Sequence, residues 1–195
     1  MIRLICPLLA MVSMAATALP ASAADLPDPC ALLAPDELSA LGMPKGAVAG
    51  PDSKEDGRFL ICNYRPADQK ADPSPAAESS SITSPSVVVM IASAGNDRVL
   101  QLRAMIAKAR GENSPAQLQA RGEYYADTTS SANSVPMCKV QIEGGVEASR
   151  CLSATDTNIV TLIVGRRAPE GGALDPSRQL RLISELAARV RAKGG

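Results

Sequence analysis

The side chains with the clearest chemistry are four cysteines, Cys30, Cys62, Cys138 and Cys151. The fifth, Cys6, lies in an N-terminal segment that we expect to be removed. An even number of cysteines in an exported chain favours disulfides over free thiols. No two of the four are spaced as Cys-x-x-Cys, the arrangement typical of redox-active pairs. The sequence therefore predicts two structural disulfides, and four cysteines allow three pairings.

One pairing follows from a hairpin centred on the glycine pair 144–145. Cys138 and Cys151 lie at equal distances from this pair, so they face each other in a two-residue hairpin. Counting outward from the turn, they occupy a non-hydrogen-bonded pair, whose Cα separation suits a disulfide. A four-residue loop keeps this pairing, whereas a one-residue bulge breaks it. Cys30 with Cys62 then follows by elimination.

The same hairpin register places Lys139 opposite Arg150. Like charges directly across two strands repel each other unless an anion or an acidic neighbour compensates. This pair is therefore a candidate anion contact, with the alternative that both side chains extend into water from an exposed face. Arg166 and Arg167 follow a strand and could contact a ligand at the sheet end, although charges there often only solubilise a loop.

Most catalytic chemistries are disfavoured by what the chain lacks. It has no histidine, so Ser-His-Asp sites, Cys-His sites and histidine-ligated zinc are excluded. The Gly-x-Ser-x-Gly pattern of serine hydrolases is also missing. With one Phe, three Tyr, no Trp and equal numbers of basic and acidic residues, no stacking platform or basic stripe for nucleic acid is evident. We expect no catalytic residues, metal, cofactor or nucleic-acid partner.

The first 23 residues are typical of a secretory signal peptide, with Arg3, an apolar stretch at 4–18 and small residues up to Ala23. The alternative is a membrane anchor, but the apolar stretch is short for a bilayer and contains Pro7. No cysteine is placed for lipidation. We therefore expect cleavage after Ala23, a periplasmic or secreted location and no stable membrane anchor.

Short apolar segments predict the strands of a sheet. The segments at 87–92 and 159–164 are apolar on both faces, which is typical of central strands. Tyr124 and Tyr125 are neighbours on a short strand, so only one of them can face the core. Further strands are predicted at 59–64 and in the two arms of the hairpin at 138–151.

Three helices complete the prediction, with capping residues at Pro35, Asp36 and Glu37, at Asn96 or Asp97, and at Asp175 and Pro176. The last helix places Leu180, Ile183, Ala187 and Val190 inward and Arg178, Arg181, Glu185 and Arg189 outward. Residues 44–57 are expected to form a loop, and the Pro/Ser-rich stretch at 66–86 a mobile loop. Residues 24–195 thus form a single α+β domain, a mainly antiparallel sheet with about three helices packed on it.

Five short motifs resemble the exported bacterial envelope proteins grouped as domain of unknown function 3558. They lie at 28–33, 36–38, Gly42, 62–64 and 122–126. The resemblance spans most of the chain after the signal peptide and maps onto the first two of the four cysteines. It implies a small α+β domain exposed to the periplasm or cell exterior and carries no catalytic residues. Such proteins are often lipid-anchored, and this chain departs from them by lacking a lipidation cysteine.

These observations favour a non-catalytic binding or interaction domain of the bacterial periplasm or envelope. Its partner would be another envelope protein or a small ligand. The alternatives are a histidine-independent envelope enzyme and a purely structural or stress-related envelope protein.

The signal peptide and the disulfides predict a specific mass for the protein isolated from its host's envelope fraction. Denatured without reduction, the chain should begin at Ala24 and be lighter than the reduced chain by four hydrogen atoms, two for each disulfide. Intact-mass spectrometry measures both features. A chain that still carries residues 1–23, or one with free thiols, would contradict the respective prediction.

Overall fold

The computed structural model describes residues 26–53, 59–68, 84–126, 136–167 and 174–193. Its strands are β1 (Val48–Ser53), β2 (Phe59–Arg65), β3 (Ser86–Ser93), β4 (Glu123–Tyr125), β5 (Met137–Glu143), β6 (Val146–Ala154) and β7 (Asn158–Arg167). Its helices are α1 (Pro35–Ala40), α2 (Gly95–Glu112), α3 (Pro115–Ala120) and α4 (Pro176–Lys193), and a 3-10 helix spans Pro29–Ala31.

The seven strands form one antiparallel sheet in the order β1-β2-β3-β7-β6-β5-β4. The two segments that are apolar on both faces, β3 and β7, pair with each other at its centre. A central strand has packed neighbours on both faces, so it tolerates apolar side chains on both. The α+β class with two disulfides, predicted from the sequence, is confirmed.

One row of paired positions identifies the main buried face of the sheet. From β2 to β4 this row contains Cys62, Val89, Leu162, Cys151, Cys138 and Tyr124. The Cα atoms of Cys138 and Cys151 are 4.0 Å apart, as expected for a non-hydrogen-bonded pair bridged by a disulfide. Cys62 is bonded to Cys30 in the 3-10 helix. Both disulfides therefore lie on the same face of the sheet.

Helix α4 covers this face and contacts β4, β5, β6 and β7. Its buried apolar residues are Leu180, Leu182, Ile183, Leu186, Ala187 and Val190. They include all four positions that the sequence pattern places inward. The main core therefore lies between α4 and the disulfide-bearing face.

Helix α2 packs on the opposite face, against β6 and β7. Its Val99 and Ile106 are fully buried, yet they do not belong to the core cluster formed with α4. Thr161, which alternates to the face opposite Leu162, is buried as well. The Arg103 guanidinium donates a hydrogen bond of 3.0 Å to the carbonyl oxygen of Thr155, the residue that follows β6. The sheet is thus covered by a long helix on each side.

The N-terminal segment is tied to β2 by more than the disulfide. The Tyr64 hydroxyl lies 3.2 Å from the carbonyl oxygen of Pro29 and 3.0 Å from that of Cys30, to which it donates. Burial raises the pKa of this phenol above its ordinary value. Tyr64 therefore remains a neutral donor at physiological pH and fixes the 3-10 helix on the sheet.

Two elements were not expected from the sequence. Residues 48–53, predicted as part of a loop, form β1, and Pro51 is tolerated there because β1 is an edge strand. Helix α3 was also missed, although Ser114 and Gln117 form a capping box around Pro115. The predicted signal peptide and most of the predicted mobile loop at 66–86 lie outside the described residues.

Strand β6 brings polar side chains to the buried face. Glu147, Ser149 and Ser153 share the phase of Cys151 and are all buried. Gln179 of α4 lies above them, with its Oε1 atom 3.4 Å from the Cys151 Sγ. Because buried polar groups cost stability unless they are paired, this row needs compensation.

Of this row, Glu147 is compensated by an ion pair beneath the start of α4, whereas Ser149 Oγ, Ser153 Oγ and Gln179 Nε2 have no hydrogen-bond partner among the described residues. Glu147 is 0% exposed, and its Oε2 atom lies 2.9 Å from both Nε and Nη2 of Arg166. Its Oε1 atom accepts a 2.8 Å hydrogen bond from the backbone N–H of Leu174. Both carboxylate oxygens are therefore occupied, and the chain that enters α4 is tied to β6.

Removing one partner of this ion pair should destabilise the protein strongly. Arg166→Met leaves the Glu147 carboxylate buried without its cation, and we expect a loss of about 3 to 5 kcal/mol in the free energy of unfolding. Urea denaturation with both disulfides intact measures this change.

The double variant Glu147→Met with Arg166→Met removes both charges and should recover most of the lost stability. If the double variant were as unstable as Arg166→Met alone, the loss would come from packing and not from an uncompensated charge.

Candidate functional site

The candidate site is built around α1, a short helix that presents one apolar and one polar face. Pro35 occupies its first turn, and the Glu37 carboxylate accepts a 2.7 Å hydrogen bond from the backbone N–H of Ala34. Leu38 and Leu41 are buried in the core. The other side of the helix, including Asp36, Ser39 and Ala40, is therefore directed away from the sheet.

A salt bridge holds α1 against the C-terminal half of α4. Arg189 Nη2 lies 2.6 Å from Glu37 Oε1, and Arg189 Nη1 lies 2.9 Å from Glu37 Oε2. Arg189 Nη1 also donates a 2.6 Å hydrogen bond to the carbonyl oxygen of Leu32. The hydrogen bond from Arg189 holds the pKa of Glu37 below its ordinary value, more than burial raises it. This bidentate contact corrects the sequence expectation that Arg189 points outward into water.

The first half of α4 lies beside the end of α1 and the turn after it. Arg178 and Arg181 are exposed on α4 and share cavity walls with residues of α1. Arg178 lines one cavity together with residues of α1 and of the turn at 44–47, whereas Glu37 contacts Arg189, about three helical turns further along α4. Gly42 ends α1 with φ +88°, a left-handed conformation that favours glycine.

A groove opens between these elements, and we call it the α1–α4 groove. Its larger part has a volume of about 750 Å³ and is lined by Pro35, Asp36, Leu38, Ser39, Ala40, Pro44, Lys45, Gly46, Ala47 and Arg178. Its smaller part has a volume of about 300 Å³ and is lined by Asp36, Glu37, Ala40, Leu41, Arg178, Arg181, Leu182 and Glu185. The two parts share Asp36, Ala40 and Arg178, so they adjoin each other. The volume of each part is within the range of small-molecule sites, roughly 300–1,000 Å³.

The candidate anion contact predicted on the hairpin lies away from this groove, on the face of the sheet opposite the disulfides. Lys139 and Arg150 are paired in register, as the sequence indicates, and both are exposed. Glu123 of β4 is the other cross-strand neighbour of Lys139. Its carboxylate lies 3.6 Å from the Arg121 guanidinium and accepts a hydrogen bond from Tyr125. An acidic neighbour is thus present, and anion binding here stays a prediction.

The other side chains singled out in the sequence have structural contacts. Arg166 pairs with Glu147 and does not reach a free sheet end, whereas Arg167 is exposed. Of the adjacent tyrosines, Tyr124 packs against the core and Tyr125 faces the other side. Burial raises the pKa of Tyr125, and the neighbouring Glu123 raises it further.

Sequence reasoning did not identify the α1–α4 groove. It assigned Asp36 and Glu37 to capping and solvation, and Arg178 and Arg181 to an outward face. Glu37 does cap α1, and Arg178 and Arg181 are exposed. No pattern in the sequence indicates that the two polar faces meet.

The comparisons with known proteins do not assign this chain to a family. No protein-family model matches the chain, and no curated protein is significantly similar to it. The resemblance to the envelope proteins therefore stays a prediction. In the part of the chain that the structure describes, no cluster of three or more acidic, cysteine or histidine residues could hold a metal ion. None of the helices described is long and apolar enough to cross a membrane.

The lowered pKa of Glu37 predicts a pH-dependent contribution to stability. A carboxylate whose folded pKa is depressed stabilises the protein above its unfolded value, here the ordinary 4.5, and loses that effect as the pH falls through the folded pKa. Glu37→Gln should therefore be less stable than the wild type at pH 7, by about 1 kcal/mol or less, since Arg189 is partly exposed to solvent. The difference should shrink between pH 4.5 and pH 3.

Urea denaturation of both proteins across this pH range measures the effect. Glu112→Gln, which removes the exposed ion pair with Lys108 on α2, is the matched control and should change stability little at any pH. A Glu37→Gln deficit that is equal at pH 7 and pH 3 would exclude the charge of Glu37 as its cause.

Proposed function

We propose that this protein is a non-catalytic binding domain of the bacterial periplasm or envelope, and that its ligand binds in the α1–α4 groove. The observation that carries this proposal is the groove itself. The groove is lined by apolar residues together with a few charged side chains, and such a combination is typical of ligand sites.

The walls of the groove are held in place before any ligand arrives. The Glu37–Arg189 salt bridge connects α1 to α4 at one end. The Leu174–Glu147 hydrogen bond anchors the chain entering α4 at the other end. Preorganised walls lower the entropic cost of ordering a site, which favours binding.

The directions in which the protein environment shifts three pKa values support binding over catalysis. A general acid or base works best with a pKa near the operating pH. Glu37 is shifted away from neutrality on the acidic side, and Tyr64 and Tyr125 are shifted away on the basic side. These three groups therefore keep one protonation state at physiological pH, which argues against the alternative of a histidine-independent enzyme.

Export is the second part of the proposal. Two disulfides indicate an oxidising compartment. We infer that residues 1–23 direct the chain to the periplasm or cell exterior and are then cleaved, as their composition suggests. The resemblance to exported envelope proteins agrees with this location.

Blocking the groove tests the proposed function. Ser39 is exposed and lines the larger part of the groove, so Ser39→Trp should fill it without disturbing the core. Native mass spectrometry of the protein isolated from its host's envelope should show a small-molecule adduct on the wild type. We expect that adduct to be lost from Ser39→Trp.

Ala104→Trp adds similar bulk to an exposed position of α2 on the opposite side of the sheet and should keep the adduct. An adduct that survives Ser39→Trp would place binding elsewhere, and a wild type without any adduct would count against a small ligand. Turnover of an envelope metabolite by the wild type would instead support the enzymatic alternative.

A further inference from the structure

We propose that α4 is a helix of two parts, in which the first half, residues 176–183, opens from the sheet as a unit while the second half, residues 184–193, stays in place. The closed structure described above is the dominant state, and the open one is a minor state of the same fold. The support comes from buried polar groups at the first half, from a hydrogen bond at its end and from the stronger contacts of the second half.

Gln179 is a buried amide on the inner face of the first half. It is 2% exposed, and its Nε2 atom has no hydrogen-bond partner among the described residues. Its Oε1 atom lies 3.4 Å from Cys151 Sγ, but that sulfur is bonded to Cys138 and carries no hydrogen to donate. The amide therefore gains no hydrogen bond from this contact, and a buried amide without one destabilises the closed state.

Strand β6 presents further polar groups to the same half. Glu147 accepts the hydrogen bond from Leu174, two residues before α4, and Cys151 lies beneath Gln179. Ser149 lies between Glu147 and Cys151 on the same face of β6, so the start of α4 passes over it. Its Oγ atom is buried and lacks a hydrogen-bond partner among the described residues. In the open state water reaches these groups and hydrates the Glu147 carboxylate again.

A side-chain hydrogen bond marks the boundary between the two halves. The Ser184 hydroxyl donates a 2.7 Å hydrogen bond to the carbonyl oxygen of Leu180, four residues earlier. A serine bonded in this way slightly destabilises a helix and often bends it. Ser184 is therefore the point at which the first half separates from the second.

The second half has stronger contacts. Its buried residues are all apolar, and Leu186, Ala187 and Val190 are at most 1% exposed within the main core. Arg189 bonds to both carboxylate oxygens of Glu37 on α1. Opening of this half would therefore expose apolar surface and break the salt bridge, with no buried polar side chain of its own to hydrate.

Opening of the first half would also change the α1–α4 groove. Arg178, Arg181 and Leu182 line that groove, so the open state lacks the part of the wall that they supply. A molecule that contacts these residues binds the closed state and opposes the opening. The opening itself depends only on α4 and β6, and not on the proposed function.

Native-state hydrogen exchange, followed by NMR for each backbone amide of the exported, disulfide-bonded protein, tests the proposal. The amides of residues 180–183 donate to carbonyl oxygens of the first half, and those of residues 188–190 to carbonyl oxygens of the second half, since a helical N–H bonds four residues back. We expect residues 180–183 to share one protection factor, at least about tenfold lower than that of residues 188–190. Fraying of a helix end would instead give protection that rises residue by residue.

Variants of each half identify the cause. Gln179→Met replaces the amide with an apolar side chain of similar length, and Ser149→Ala removes the hydroxyl. Each should raise the protection factors of residues 180–183 about threefold to tenfold, since an unpaired polar group no longer favours the open state. Gln101→Met makes the same substitution at an exposed position of α2 and should change no protection factor in α4.

Arg189→Gln breaks the salt bridge of the second half. It should lower the protection factors of residues 188–190 about threefold and leave those of residues 180–183 unchanged, because Arg189 keeps its contacts in the open state.

Equal protection of the two halves, or a graded rise along residues 180–183, would overturn the two-part helix. An Arg189→Gln variant that lowers the protection of both halves by the same factor would overturn it as well. If Gln179→Met and Ser149→Ala both left residues 180–183 unchanged, the buried polar groups would not be the cause of opening and the proposal would fail.

Discussion

The alternation of side chains along paired strands governs how this protein is organised. Because all strands are in register, Cys62, Cys151 and Cys138 fall on one row of the sheet and point to one face. Both disulfides depend on this register, since a shift of one residue in any of these strands would turn its cysteine to the opposite face. Helix α4 and the N-terminal segment must then pack on this side, which brings α1 and α4 together.

Two ion pairs determine how α4 lies on the sheet. Glu147, which pairs with Arg166, accepts a hydrogen bond from Leu174, two residues before the start of α4. Arg189, near the end of α4, pairs with Glu37 of α1. The first pair compensates the buried Glu147 carboxylate, whereas the second is partly exposed and its carboxylate has a lowered pKa. Together the two ion pairs hold α4 at both ends. The walls of the α1–α4 groove are therefore in place without a ligand.

Binding is the function that we propose from these features, because the contact that stabilises the groove also holds the Glu37 carboxylate in an ion pair. The Glu37 carboxylate accepts hydrogen bonds from the Arg189 guanidinium and from the backbone N–H of Ala34 at the start of α1. The groove is otherwise lined by apolar residues and by charged side chains of both signs.

The sequence alone determined the disulfide pairing, the two central strands and the inward face of α4, since each depends on spacing within a short segment. It missed β1 and α3, of which only α3 has a clear local signal in its capping box. The groove and both ion pairs were decided by the tertiary structure. Glu37 and Arg189 are separated by 152 positions, and no local periodicity encodes how elements so distant are placed, because that depends on the packing of the whole core.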